Sequence, residues 1–319
     1  MSRLWLWMRW SWRDLRKRWQ LVTAIALVIA LGTGAYAGLL STSQWRRQSN
    51  DASFALLHTH DLRIKLSTGS TTDEGKLLAL VSTLAHAGDV EAARERLIAP
   101  VQLAGPRDLL VSAEIVGTDI RPGPPVDGVS VSAGRALTSA DDGAAVALVD
   151  ASFARENDLE IPVELTLPGG TKLRVVGTGR SPEYFVISGG EGSLPFLSQQ
   201  SYGVLFASLH TVQRAVGAPG RVNDLVLTLR PGADRDAIQD ELRQALQVAQ
   251  PPLAADVTTR DDIDAYRVLY DDIEGDTTLW RVVALLILMG SAFAALNLTT
   301  RVVEAQRREI GIGMALGTP

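Results

Sequence analysis

The sequence contains no cysteine in 319 residues, so it has no Cys-x-x-Cys pair to hold a metal. It has no G-x-x-x-x-G-K-[ST] either, and so lacks the loop that cradles nucleotide phosphates. Neither G-x-S-x-G nor H-E-x-x-H occurs, which removes the motif-based cases for a hydrolase. His58-Thr59-His60 comes nearest to a metal pair, because alternate positions on a strand share a face; it reads as ordinary exposed polar residues. The acidic run Asp271-Asp272-Ile273-Glu274-Gly275-Asp276 does not match the spacing of a D-x-[DN]-x-[DN]-G calcium loop and reads as solvated charge. No catalytic, metal or cofactor residue is assigned.

What the chain does have is charge and hydropathy arranged in blocks. Its formal net charge is -5 and its mean hydropathy is +0.10, high for a sequence with 21% charged residues. Residues 1–40 hold six Lys/Arg and one acid, residues 41–278 hold 21 and 33, and residues 279–319 hold four and two. The ends are basic and the middle is acidic. Two apolar runs, 21–40 and 279–298, are each about 20 residues long, which at ~1.5 Å per residue crosses the ~30 Å core of a bilayer. Arg281 lies at the outer edge of the second run, where a long side chain reaches the headgroups.

The first run has a competitor, since basic residues, an apolar stretch and Ala35-Tyr36-Ala37 imitate a cleaved secretory signal. The apolar segment exceeds the usual signal core of roughly 7–15 residues, and the basic part has a pattern of its own, so the run reads as an anchor. On a helix Trp5, Met8, Trp12, Leu15 and Trp19 share one face and Arg9, Arg13 and Arg16 another. Residues 1–20 therefore read as an amphipathic helix lying in the headgroup layer. Arg9, Arg13, Arg16, Lys17 and Arg18 precede the first span, and Arg301, Arg307 and Arg308 follow the second, which places both termini in the cytoplasm and residues 41–278 outside. Arg46 and Arg47 run against that bias.

A segment of this length needs a core of its own. Alternation predicts strands over 62–66, 109–116, 144–149 and 222–229, and a hairpin of 163–167 with 172–176 turning at Pro168-Gly169-Gly170. Helices are expected over 73–87 (capped by Thr72 or Asp73), 151–157 and 234–248. Residues 188–203, rich in Gly, Ser and Gln, read as a mobile loop. Arg121-Pro122-Gly123-Pro124-Pro125 marks a subdomain boundary. The expected fold class is an α+β outer domain, an α/β subdomain plus a β-rich one over about 121–200, flanked by two transmembrane helices.

After the second span comes Arg307-Arg308-Glu309-Ile310-Gly311-Ile312-Gly313-Met314-Ala315-Leu316-Gly317. This resembles the R-x-E-I-G and A-L-G signature that follows the second transmembrane helix of FtsX/MacB-like ABC-transporter permeases. The order of amphipathic helix, span, outer core domain, span and signature resembles that family over nearly the whole chain, as does the sequence from Val149-Asp150 through Leu173-Arg174-Val175-Val176-Gly177. Gly313 and Met314 depart from the family, whose members commonly carry a basic residue there. The family also continues into further spans, so the chain reads as the N-terminal portion of a longer permease, with 299–319 as the start of the FtsX-like part.

The resemblance implies a non-catalytic permease subunit in a bacterial cytoplasmic membrane, driven by a separate ATPase that binds the ATP and paired with a second permease unit. It assigns ATPase coupling to Arg307, Arg308, Glu309, Ile310, Gly311, Ile312, Ala315, Leu316 and Gly317. There the glycines would allow close approach or a sharp turn and the apolar residues an edge for a groove. Asn297, polar within the second span, would bond to a neighbouring helix. A two-span sensor is the alternative reading; it would continue into a heptad helix, which three glycines within 311–317 oppose at roughly 1 kcal/mol each. A membrane-tethered enzyme has no motif to support it.

Overall fold

The structure is a computed structural model that describes residues 5, 12, 13, 16, 19–185 and 201–315; the side chains of 21, 302, 305, 306, 308–310, 313 and 314 are outside the description. The chain divides into two compact units, Met1–Ser49 with Asp271–Pro319, and Asn50–Tyr270.

The first unit is a pair of antiparallel helices. Helix α1 covers Trp19–Leu56 and helix α6 covers Asp264–Ala315, 38 and 52 residues, and both are long and apolar enough to cross a membrane. Both run well past the expected spans, so residues 41–56 and 264–278 are helical continuations and not part of the outer sheet. Covered or half-covered positions on α1 recur every three or four residues (Ile25, Val28, Gly32, Ala35, Leu39), and on α6 they include Ala284, Leu288, Ser291, Ala295 and Leu298. This is the spacing of two helices packed along one seam. Small residues let the backbones approach: a Cβ at Gly32 would lie 2.3 Å from Ser291 Oγ, so only hydrogen fits there. The other faces of both spans are largely uncovered by the chain itself.

The second unit is built on a ten-stranded mixed sheet in the order β12-β1-β11-β3-β4-β9-β6-β8-β5. Its strands are β1 (Leu62–Leu66), β3 (Val90–Ala104), β4 (Leu110–Thr118), β5 (Ser130–Gly134), β6 (Val146–Asp150), β7 (Val163–Thr166), β8 (Lys172–Arg180), β9 (Tyr202–Ser208), β11 (Asp224–Leu229) and β12 (Ala255–Thr259). Strand β7 joins β8 to β3 through one residue pair, Ala104 with Thr166, and so closes a ring of strands around Leu103, Phe153, Leu165, Leu173 and Leu205. Helices α2 (Lys76–Ser82), α3 (Ala151–Glu156), α4 (Leu209–Ala215) and α5 (Arg235–Val248) complete the unit. Alternation along β1 buries Leu62, Ile64 and Leu66 towards this helix side, where Ile238, Leu242 and Leu246 of α5 meet the same core. Asp234 and Asp150 cap α5 and α3, each accepting from backbone N–H groups two or three residues on.

Several expectations are revised. The helix predicted over 73–87 is only α2, because Thr72–Asp73 forms β2 against Arg221–Val222 (β10). Its cap comes from another element: Glu95 on β3 accepts from the N–H groups of Gly75, Leu77 and Leu78 at 2.6, 2.8 and 3.1 Å. Strand β3, 15 residues long, was not anticipated, since Glu95, Arg96 and Pro100 interrupt its apolar pattern. Pro100 sits in the half of β3 that has β4 as its neighbour and β11 no longer beside it. Of the predicted loop 188–203, residues 188–200 lie outside the described residues, while Tyr202 already starts β9, a central strand. Strand β8 continues past Val176 to Arg180.

Candidate functional site

Helix α6 carries the sequence motif as an uninterrupted continuation of the second span. Arg307, Gly311, Ile312 and Ala315 are exposed on it; the side chains of Arg308, Glu309 and Ile310, and all of Leu316 and Gly317, lie outside the described residues. No turn occurs at Gly311. The helix continues to Ala315, and a Cβ at Gly311 would meet nothing within 4 Å among the described residues. At the other terminus Trp5, Trp12, Arg13, Arg16 and Trp19 are helical, with Trp12 and Trp19 well exposed; Met8, Arg9 and Leu15 lie outside the described residues. Asn297 is exposed on α6 and its side chain has no hydrogen-bond partner among the described residues.

Beyond the spans, the residues that strained the sequence reading meet each other. Arg46 pairs with Asp272 at 2.5 Å and Asp276 at 2.7 Å, and Arg47 with Glu274 at 3.1 Å. The acidic run is thus partly solvated and partly the counter-charge of α1, joining the two helices above the level of Gly32 and Ser291.

The domain holds a second charge cluster, and it is buried. Arg96 on β3 donates to Asp224 of β11 (2.7 Å), to Glu183 in the turn after β8 (2.8 Å) and to Asp127 in the 119–129 connection (3.1 Å). Arg63 of β1 donates to the same Asp224 and Glu183 at 2.6 and 2.5 Å. His60 then contacts Asp127 through Nδ1 (2.8 Å) and its backbone N–H (3.0 Å). Thr59 and His60 are fully buried, which corrects their reading as exposed residues: the Asp127 carboxylate satisfies one ring nitrogen, while His60 Nε2 and Thr59 Oγ1 have no partner among the described residues. Burial alone would raise the Asp127 and Glu183 carboxyls; His60 and Arg96 outweigh it for Asp127, and Arg63 and Arg96 for Glu183, so both are held below the ordinary carboxylate range.

Arg260, just ahead of α6, donates to the carbonyls of Thr59 and His60 and pairs with Asp61 at 2.9 Å. It fastens the chain leaving α1 to the chain entering α6. The alternation of Arg63 and Lys65 between buried apolar residues already placed them opposite the core; their partners, brought from sequence distances above one hundred residues, left no local signal.

Among the described residues no cluster of His, Asp and Glu has metal-holding geometry.

Comparison with known proteins places the chain. No curated protein matches it. Among solved structures it is similar to the periplasmic region of MacB from Actinobacillus actinomycetemcomitans (13% identity, TM-score 0.44, 69% of this chain and 95% of that one). It is also similar to the extracellular domain of the noncanonic ABC-type transporter YknZ from Gram-positive bacteria (12%, 0.42, 63% and 99%). A third likeness is to a domain of a permease protein from Porphyromonas gingivalis (13%, 0.39, 68% and 97%). The sequence profile of the MacB-like periplasmic core domain matches residues 23–245, most of the chain, beginning inside the first span and ending in α5. This chain belongs to the MacB-like periplasmic core domain family.

Proposed function

We propose that this protein is the permease part of an ABC transporter, anchored in a bacterial cytoplasmic membrane with both termini inside, and that it passes the work of a separate cytoplasmic ATPase to its outer domain. The observation that carries this reading is α6: a single helix, ~78 Å long at ~1.5 Å per residue, runs from Asp264 beside the domain strands through the second span to Ala315 within the motif. A continuous helix is stiff along its axis, so a push near Arg307 and Gly311 arrives at Asp264 with little loss. Exposed Gly311 and Ile312 leave room for a groove-forming partner, and Arg307, Arg308 and Glu309 supply charges for it to pair with. The ATP site belongs to that partner. A second permease unit would cover the span faces this chain leaves open, with Asn297 hydrogen-bonding across helices.

The test is co-purification from detergent-solubilised membranes of the intact gene product, comparing wild type with Glu309→Lys and Gly311→Trp. A Cβ at 311 meets nothing within 4 Å among the described residues, so loss of a nucleotide-binding subunit from the variants alone would point to a coupling contact at the motif. Failure of the wild type to retain any ATPase would overturn the proposal.

A further inference from the structure

The sheet face opposite the helices carries a groove of about 510 Å³, open to solvent. Neighbouring strands line it in sheet order: Asp256 on β12, Lys65 on β1, Asp224 on β11, Pro100 on β3, Glu114 on β4 and Tyr202 on β9. Its inner end is the paired cluster, where Arg63 is already shared by Asp224 and Glu183. Lys65 stands in register with Asp224 on one side and Asp256 on the other, so its charge is offset by cross-strand acids. Six carboxyl groups line the groove; Arg63 and Lys65 in the lining, with Arg96 and Arg267 bonded to Asp224, Glu183 and Asp264, offset part of that charge and leave the field mildly negative.

Glu114 is the group left over. Its cross-strand neighbours are Pro100 and Val204, the Tyr184 hydroxyl donates to its Oε1 at 2.5 Å, and no described residue donates to its other oxygen. Burial in these surroundings pushes its carboxyl up from the ordinary value, and burial followed by the nearness of Glu114 pushes the Tyr202 hydroxyl up to about 12. A half-buried carboxylate with one bare oxygen and no cation bonded to it is an incomplete arrangement, unlike Asp224 and Glu183 beside it, which Arg63 and Arg96 both contact.

We infer that Glu114, with Tyr184 and Tyr202 beside it, anchors a binding site for an organic cation: a small ligand that carries an ammonium or guanidinium group on an apolar body. The cation would complete the Glu114 hydrogen bonds and lie against the two phenol rings, both of which face the groove. The apolar body would rest on Ile98 and Pro100, and the groove has the size of ordinary small-molecule sites. Anions are refused by the acidic walls. Glu114, Tyr184, Tyr202, Ile98 and Pro100 all lie outside the membrane helices, and only Asp264 at the start of α6 reaches the groove's rim, so the site goes beyond the coupling role and is testable apart from it.

The test uses the full chain in lipid nanodiscs and 4-phenylbutylamine as probe, followed by saturation-transfer NMR with empty nanodiscs subtracted and 4-phenylbutanol as the neutral isostere. Wild type is expected to bind the amine at least tenfold more tightly than the alcohol, and Glu114→Gln, which keeps the shape and the Tyr184 contact, to lose that preference. The groups facing Glu114 are Tyr184, Glu183, Arg63, Lys65 and Tyr202; with the probe cationic throughout, amine affinity in wild type is expected to fall as acid protonates Glu114, and the variant to lose this dependence. Equal binding of amine and alcohol, no binding of either, or an unchanged amine preference in Glu114→Gln would each overturn the site.

Discussion

Two sets of arginine–carboxylate pairs in this chain use the same chemistry and do different physical work. Around Arg96 the side chains are hidden, with exposures of 3% for Arg96, 1% for Asp224, 4% for Asp127 and 7% for Glu183. Between the two long helices the acids stand in water, with Asp272 at 57% and Glu274 at 71%. Desolvation is large in the first set, so the pairs hold only as a complete network; truncating one member leaves charges that neither water nor protein satisfies. In the second set water replaces whatever is lost, and each pair is worth little beyond fixing which helix faces are opposed. A salt bridge therefore informs about the fold through its burial, not its length.

Arg96→Met should break this contrast most severely. It removes the cation shared by Asp127, Glu183 and Asp224, leaving Asp127 with His60 alone and Glu183 and Asp224 to share Arg63; a loss of ~3–5 kcal/mol is expected for the domain transition in urea, followed by circular dichroism. A shift below ~1 kcal/mol would mean that water enters the cluster and that the buried and exposed sets are alike.

Acid should separate the two sets next. Asp127 and Glu183 have folded-state values depressed below those of the unfolded chain, so their contribution is present above roughly pH 4 and is lost as pH falls through the depressed folded-state values. Urea midpoints for the domain should be steady from pH 7 to 5 and decline below about pH 4. Asp127→Asn is expected to flatten that decline as well as lower the starting stability; an unchanged acid profile in the variant would remove Asp127 from the account.

The helix pair depends on closeness more than on charge. Gly32→Leu forces a side chain into Ser291, an overpacking cost of about 1–3 kcal/mol. In an otherwise cysteine-free chain carrying Arg46→Cys and Asp272→Cys, a short bis-maleimide should bridge the helices efficiently, and Gly32→Leu should cut the yield. Equal yields would show that the seam tolerates separation. The smallest effect belongs to Arg46→Ala alone: at most about 1 kcal/mol, and smaller still in high salt because exposed pairs are screened.

Some of the chain could be read without coordinates because the signal was local. Two apolar runs with basic flanks identify membrane helices whatever surrounds them; the alternation Leu62, Ile64, Leu66 fixes β1 to the residue, and the four-residue spacing of Ile238, Leu242 and Leu246 with Asp234 ahead of it fixes α5. In these segments periodicity, cap and burial agree. The C-terminal motif was legible in the same way, as a string of adjacent residues; its glycines allow close approach or a sharp turn, and at Gly311 the chain stays helical.

Strand β3 was not legible, because its polar residues are explained only by distant partners. Glu95 caps a helix about twenty residues away, and Arg96 faces carboxylates from β11, the 119–129 connection and the turn after β8. Nor was Glu114 legible, since an isolated acid in a strand looks the same whether it faces water or a groove. Local signal was enough to show which two runs are long and apolar enough to cross a bilayer, which segments alternate and which family the motif and the order of parts resemble. Which charges are buried, which neutralise one another and which carboxyl is left facing an open groove came from the folded domain alone, because each depends on segments from 31 to 161 residues apart meeting in space.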